Sequence, residues 1–121
     1  MRTKSGWILL HRKIISNWIW ENEFYLKVWL DFLFRANFEH NKVLIDSQLI
    51  YLNRGEFITS QKKLAKDYHC SIGKIRHLLE LLNKDSMIKV TTTQKYTHIT
   101  ICNYSIYQNQ QHTEKNRIKT N

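Results

Sequence analysis

At 121 residues the chain is long enough for one compact domain and too short for two ordinary ones. Its 42% apolar content, with four Trp, six Tyr and five Phe, builds a real core and excludes wholesale disorder. The formal net charge of +9 is spread unevenly: residues 21–58 hold six acids against four bases, residues 59–102 eight bases against three acids. That asymmetry fits a polyanion docking on one basic face better than a surface that is basic only for solubility.

The apolar run Trp7-Ile8-Leu9-Leu10 is too short for a signal h-region or a membrane span, so no membrane association is expected. Ser5-Gly6 is the expected start of order. Residues 7–10 then read as extended chain or a first helical turn. His11 to Trp18 reads as a short helix, with Leu10, Ile14, Ile15 and Trp18 at helical spacing. Asn22 is the expected N-cap of the next helix, with Glu23 in its first turn. From Phe24 to about Phe38 runs the most apolar helix of the chain, with apolar groups nearly all round it. Such a helix must be covered on more than one side, by the chain's own core or by a second subunit. Under the second reading Trp18, Trp20, Phe24, Trp29 and Phe32 are the candidate oligomer interface.

Asn37 to Asn41 is a polar break. Residues 42–45 and 49–52 read as short strands, Asn53-Arg54-Gly55 as a turn with Gly55 at positive φ, and residues 56–58 as a third strand. Ser60 caps a helix from Gln61 to Tyr68 that buries Leu64, Ala65 and Tyr68. Ser71 caps a second helix whose core stripe is Ile72, Ile75, Leu78, Leu79 and Leu82. Met87 to Thr92 and Thr97 to Cys102 alternate with period two, placing Ile88, Val90, Ile99 and Ile101 inward. From Asn109 onward the chain is polar and aperiodic.

A capped helix, a tight break, a second capped amphipathic helix and a strand pair match a helix-turn-helix feeding a wing. The expected fold is therefore α+β: a winged helix-turn-helix over residues 1–108, with an N-terminal helical extension and a short β-hairpin. Residues 109–121 are a polar tail or a truncated linker. The candidate nucleic-acid-binding residues follow from that layout. Ser60, Gln61, Lys62 and Lys63 surround a helix start suited to a phosphate. Ser71, Gly73, Lys74, Arg76 and His77 lie in the N-terminal turns of the second helix, which meet base edges in such folds. The Arg76 fork matches guanine O6/N7, Lys74 and His77 suit a base or a phosphate, and Gly73 lets a phosphate backbone come close. Lys84 lies further along the same face, contacting DNA or pairing with Glu80. Lys95, between the wing strands with Thr93 and Gln94, is a phosphate candidate.

Other chemistries find little support. The six histidines and two cysteines show no zinc spacing and no CxxC pair, so no metal or other cofactor is expected, and Cys70 and Cys102 read as small buried packers in a reducing compartment. No nucleophile–base–orienter set and no phosphate-cradling GxxxxGK[ST] loop occur, so an enzyme is not expected.

Gly6-Trp7-Ile8 leading to His11-Arg12-Lys13-Ile14, then Trp18-Ile19-Trp20, the aromatic helix, Arg54-Gly55-Glu56-Phe57-Ile58-Thr59-Ser60, Leu64-Ala65 and Ile99-Thr100-Ile101-Cys102-Asn103-Tyr104 form a pattern. It resembles the N-terminal winged-helix domain of phage replisome organisers, the DnaD-like replication initiation proteins of Gram-positive bacteria and their phages. The likeness spans about residues 5–108. It implies a cytoplasmic, nucleoid-associated homodimer or higher oligomer that binds double-stranded origin DNA and works with helicase-loading proteins. A second, helical domain usually follows in that family, so the chain reads as an excised N-terminal domain or a short stand-alone relative. One departure is local: Asp85-Ser86-Met87 stands where winged helices commonly end the second helix with glycine, so Ser86 or Asp85 must take positive φ. A transcriptional regulator on the same scaffold is an alternative. So is an interaction module that binds a replication or defence protein.

Overall fold

The computed structural model describes residues 7–36 and 40–104. The expected starting Ser5-Gly6, residues 37–39 of the expected helix end and polar break, and the tail from Asn109 lie outside those residues; the aromatic helix, expected to run to about Phe38, already ends at Arg35, where Ala36 is extended. The fold is α+β, with three α-helices and two small antiparallel sheets among the described residues.

The first segment departs from the expected helix. It forms two 3-10 turns, Arg12–Ser16 and Trp18–Glu21, separated at Asn17, whose backbone is extended. The cause is local: the Asn17 side chain accepts from the Ile19 N–H at 2.9 Å and caps the second turn, a preference that competes with helix continuation. Asn22 caps α1 (Glu23–Arg35) by accepting from the Tyr25 N–H.

Helix α1 turns Val28, Trp29, Phe32 and Leu33 into the core. Two candidate interface residues are thereby corrected. Phe32 is 1% exposed and packs edge-on against Phe57, and Trp29 is 9% exposed, so both are used within the chain's own core. Trp18 and Phe24 are half-buried with partners on their own chain: the Trp18 indole N–H donates to Asp85 at 2.8 Å, and Phe24 meets the Tyr68 ring edge-on. Of the five, Trp20 alone is exposed.

Strands β1 (Asn41–Ile45) and β2 (Gln48–Leu52) form a hairpin across Asp46 and Ser47, both at positive φ, as a two-residue turn matching strand twist requires. In its register Leu44 faces Leu49 and Lys42 faces Tyr51. That side is outward, and Leu44, Leu49 and Tyr51 are large apolar groups left in solvent. Sequence reading missed them because alternation alone does not tell which side of a two-stranded sheet is covered. Gly55 (φ +87°) then turns the chain under Tyr104.

β3 (Glu56–Thr59) leaves the hairpin and pairs with β5 (Thr97–Ile101), which also pairs with β4 (Ile88–Thr92), giving the order β3-β5-β4. Between β3 and β4 run α2 (Gln61–Asp67) and α3 (Ile72–Lys84). Both helices end in the same device. After α2, His69 takes positive φ while the Cys70 N–H bonds the Ala65 carbonyl. After α3, Ser86 takes positive φ while the Met87 N–H bonds the Leu82 carbonyl. Ser86, not Asp85, is thus the residue in the left-handed conformation. On α3, Ile75, Leu78, Leu79 and Leu82 are buried, each burial stabilising by about 1.5–3 kcal/mol. Ile72 breaks the expected stripe: it is 41% exposed. Cys70 and Cys102 are free thiols, half-buried rather than fully enclosed.

Candidate nucleic-acid interface

Core packing on one side of α3 determines what the other side displays. With Ile75, Leu78, Leu79 and Leu82 inward, Gly73, His77, Glu80 and Lys84 form the opposite, exposed stripe. Arg76 flanks it on one side, in line with Ile72 and Asn83, which are also exposed. Lys74 flanks it on the other, in line with Asp85, and this flank lies beside the start of α1. There the Lys74 ammonium sits 4.1 Å from the centre of the Phe24 ring, and Asp85 receives the Trp18 indole. Lys74 is therefore exposed but held toward α1, whereas Arg76, His77 and Lys84 project from α3 without an ion pair among the described residues.

The two capping serines take the cap positions expected of them. Ser60 accepts from the Lys63 N–H at 3.0 Å and Ser71 from the Lys74 N–H at 3.1 Å. Each hydroxyl spends one acceptor site on its own helix and keeps its hydrogen and a second lone pair for an outside partner. Gln61 is half-buried, while Lys62 and Lys63 are exposed. Neither α2 nor α3 carries an acid in its first turn, although the helix dipole favours one there and α1 has Glu23.

The β4–β5 turn is tightly organised. Thr93 accepts from the N–H groups of Lys95 and Tyr96 and donates its hydroxyl to the Tyr96 carbonyl. Its side chain is thus occupied within the turn, and Gln94 and Lys95 are the groups left exposed. Lys95 reaches Asp46 at the tip of the β1–β2 hairpin, 3.5 Å away, bringing the two hairpin tips side by side. Both partners are more than half exposed, so this pair contributes at most about 1 kcal/mol.

One group of residues escaped sequence reading. Arg35, at the end of α1, donates to Asp31 at 2.6 Å and to Asp67 of α2 at 2.7 Å, and the Tyr68 hydroxyl also donates to Asp31. Burial works against the Arg35 charge, but its bonds to Asp67 and Asp31 outweigh that, and its pKa is raised. This clasp ties α1 to the turn between α2 and α3. Only its Asp31–Arg35 spacing, one helical turn, was visible in sequence. It also engages Asp67, the one acid of α2, and so leaves Lys62, Lys63 and Lys66 with no acid of their own helix to pair with.

Among the described residues there is no group of three or more His, Cys, Asp or Glu side chains placed to share a metal ion. No described helix is long and apolar enough to cross a membrane. A shallow hollow of about 390 Å³ runs along α1 between Glu23 and Phe34. No protein-family model matches the chain, and neither the curated proteins nor the solved structures contain a significant match to it.

Proposed function

We propose that the chain is a winged-helix protein that binds double-stranded DNA sequence-specifically, with α3 entering the major groove and the β4–β5 hairpin serving as the wing. The observation that carries this reading is the outward face of α3. It is exposed along Gly73, His77, Glu80 and Lys84, bordered by Arg76 and Lys74, with no covering element among the described residues. The order β3–α2–α3–β4–β5, with β5 central in its sheet, supports the winged-helix assignment. Arg76 is assigned to a guanine edge, His77 to a base or phosphate, and Lys62, Lys63, Lys84 and Lys95 to the phosphate backbone. A role in replication initiation of a phage or mobile element, alongside helicase-loading proteins in the cytoplasm, is proposed on the family resemblance alone. Self-association is proposed through some of the exposed apolar groups, Leu44, Leu49 and Tyr51 on the hairpin together with Trp20.

The test is a titration of labelled duplexes selected from a random pool, repeated over a range of salt. Binding should weaken with salt as about four to seven released counterions require. Arg76→Ala should cost about 1–3 kcal/mol on the selected site and little on random duplex. Lys95→Ala should weaken both alike. Equal losses on both DNAs for Arg76→Ala would remove it from base reading, and no duplex binding at low salt would overturn the proposal. Whether the selected site repeats within a replication origin or overlaps a promoter separates replication from transcription.

A further inference from the structure

We propose that Ile72 is a specificity residue that reads the 5-methyl group of a thymine. The inference rests on α3 entering the major groove and names what part of that surface recognises.

Ile72 is the first residue of α3, immediately after the Ser71 cap. It lies outside the hydrophobic core cluster and is 41% exposed, while the next four apolar residues of the helix that point inward are nearly fully buried. The fold therefore does not need its side chain. Helix energetics favour an acid in that first turn, and none is there. An acid would repel phosphate, and a lysine would add a phosphate or guanine contact. A branched aliphatic group does neither. In the major groove the one apolar feature on a base edge is the thymine methyl.

The neighbours determine where that methyl should lie. Ile72 and Arg76 are one turn apart on the same flank of α3, with Cβ atoms about 5–6 Å apart in such a pair. At about 3.4 Å per base step, a thymine read by Ile72 falls within about two base pairs of the guanine read by Arg76. Gly73, next in sequence, contributes no side chain, and beyond its own helix a Cβ built there would meet the Ser71 hydroxyl at 3.9 Å.

The experiment uses the full chain and its selected duplex, with each thymine replaced in turn by deoxyuridine, which removes the methyl and nothing else. The wild-type protein should lose about fourfold in affinity at one thymine, the value of one buried methyl-sized group. That thymine should lie within two base pairs of the guanine whose discrimination is lost in Arg76→Ala. Ile72→Ala, checked for a cooperative thermal melt because the residue is only 41% exposed, should bind thymine and uracil duplexes equally. Ile72→Val should keep part of the difference. A selected site indifferent to every uracil, or a methyl preference that persists in Ile72→Ala, overturns this assignment while leaving duplex binding intact. Failure to bind any duplex overturns it together with the reading beneath it.

Discussion

Gly73→Ala should strengthen the fold and weaken duplex binding at once. Gly73 is the second residue of α3, does not occupy the left-handed region, and is exposed. An added Cβ would lie 3.9 Å from Ser71 Oγ, an ordinary contact, with no other neighbour close enough to resist it. Alanine therefore fits the folded chain and restricts the unfolded one, which is worth about 0.4–1 kcal/mol. For a domain of this size that corresponds to a rise of about 2–6 °C in Tm. The opposite sign is expected in binding, because bare backbone there lets a phosphate approach the outer face of α3. Losing one hydrogen bond to a charged group costs about 1.5 kcal/mol, or about tenfold in Kd. Thermal melting by circular dichroism and anisotropy titration at fixed salt measure the two quantities on the same variant. A lowered Tm would refute the account of the α3 start. A raised Tm with unchanged affinity would show that no ligand backbone approaches at Gly73.

Arg35→Leu should cost about 3 kcal/mol in urea unfolding, because it takes the counter-charge from the buried Asp31 carboxylate and releases α1 from Asp67. The Asp31→Leu, Arg35→Leu double variant should lose less than the sum of its parts, and additive losses would show that the two groups do not act together. Gly55→Ala should cost at least about 2 kcal/mol by the same measurement, since φ is +87° and the new Cβ would fall 2.7 Å from Tyr104 Cβ. Adding Tyr104→Ala should not recover that loss, because alanine keeps the Cβ that the new group meets and removes a buried ring; recovery would mean that the ring atoms, and not the backbone or the Cβ contact, set the cost.

What was legible in the sequence was whatever one or two neighbouring residues decide. Asn22, Ser60 and Ser71 each cap the expected helix through a bond to an N–H three residues ahead, so the side chain and its partner sit in the same short window. The positive φ at Gly55 and at Ser86 belongs to the same class. What was not legible depends on partners far along the chain. In α1, apolar residues lie nearly all round, so periodicity does not reveal that Trp29 and Phe32 turn inward while Phe34 turns out. Ile72 sits one turn ahead of the buried stripe by spacing, yet among the described residues no element fully covers the helix start there. The side chains of Lys74 and Lys95 were legible as exposed cations, but their positions over Phe24 and beside Asp46 follow from contacts spanning 50 and 49 residues of chain. The Arg35 clasp joins residues 31, 35, 67 and 68 for the same reason.

The acids of this half of the molecule are arranged as tellingly as its bases. Asp67 is turned back onto Arg35, Asp85 is held by Trp18 on the α1 side of α3, and Asp46 faces Lys95. Glu80 alone remains on the open stripe of α3, among Arg76, His77 and Lys84. A protein selected only for stability would gain a few tenths of a kcal/mol from each acid placed opposite these cations, at no cost to its core. It would gain more from an acid at the start of α2 or α3. This chain sets one acid, Glu80, among three cations, has none at the start of α2 or α3, leaves an isoleucine partly uncovered beside Arg76, and keeps a glycine where alanine fits. Those four choices each lower the stability of the isolated domain, and under the proposed reading a duplex seated on α3 would offset them through its phosphates, its base edges and its thymine methyl.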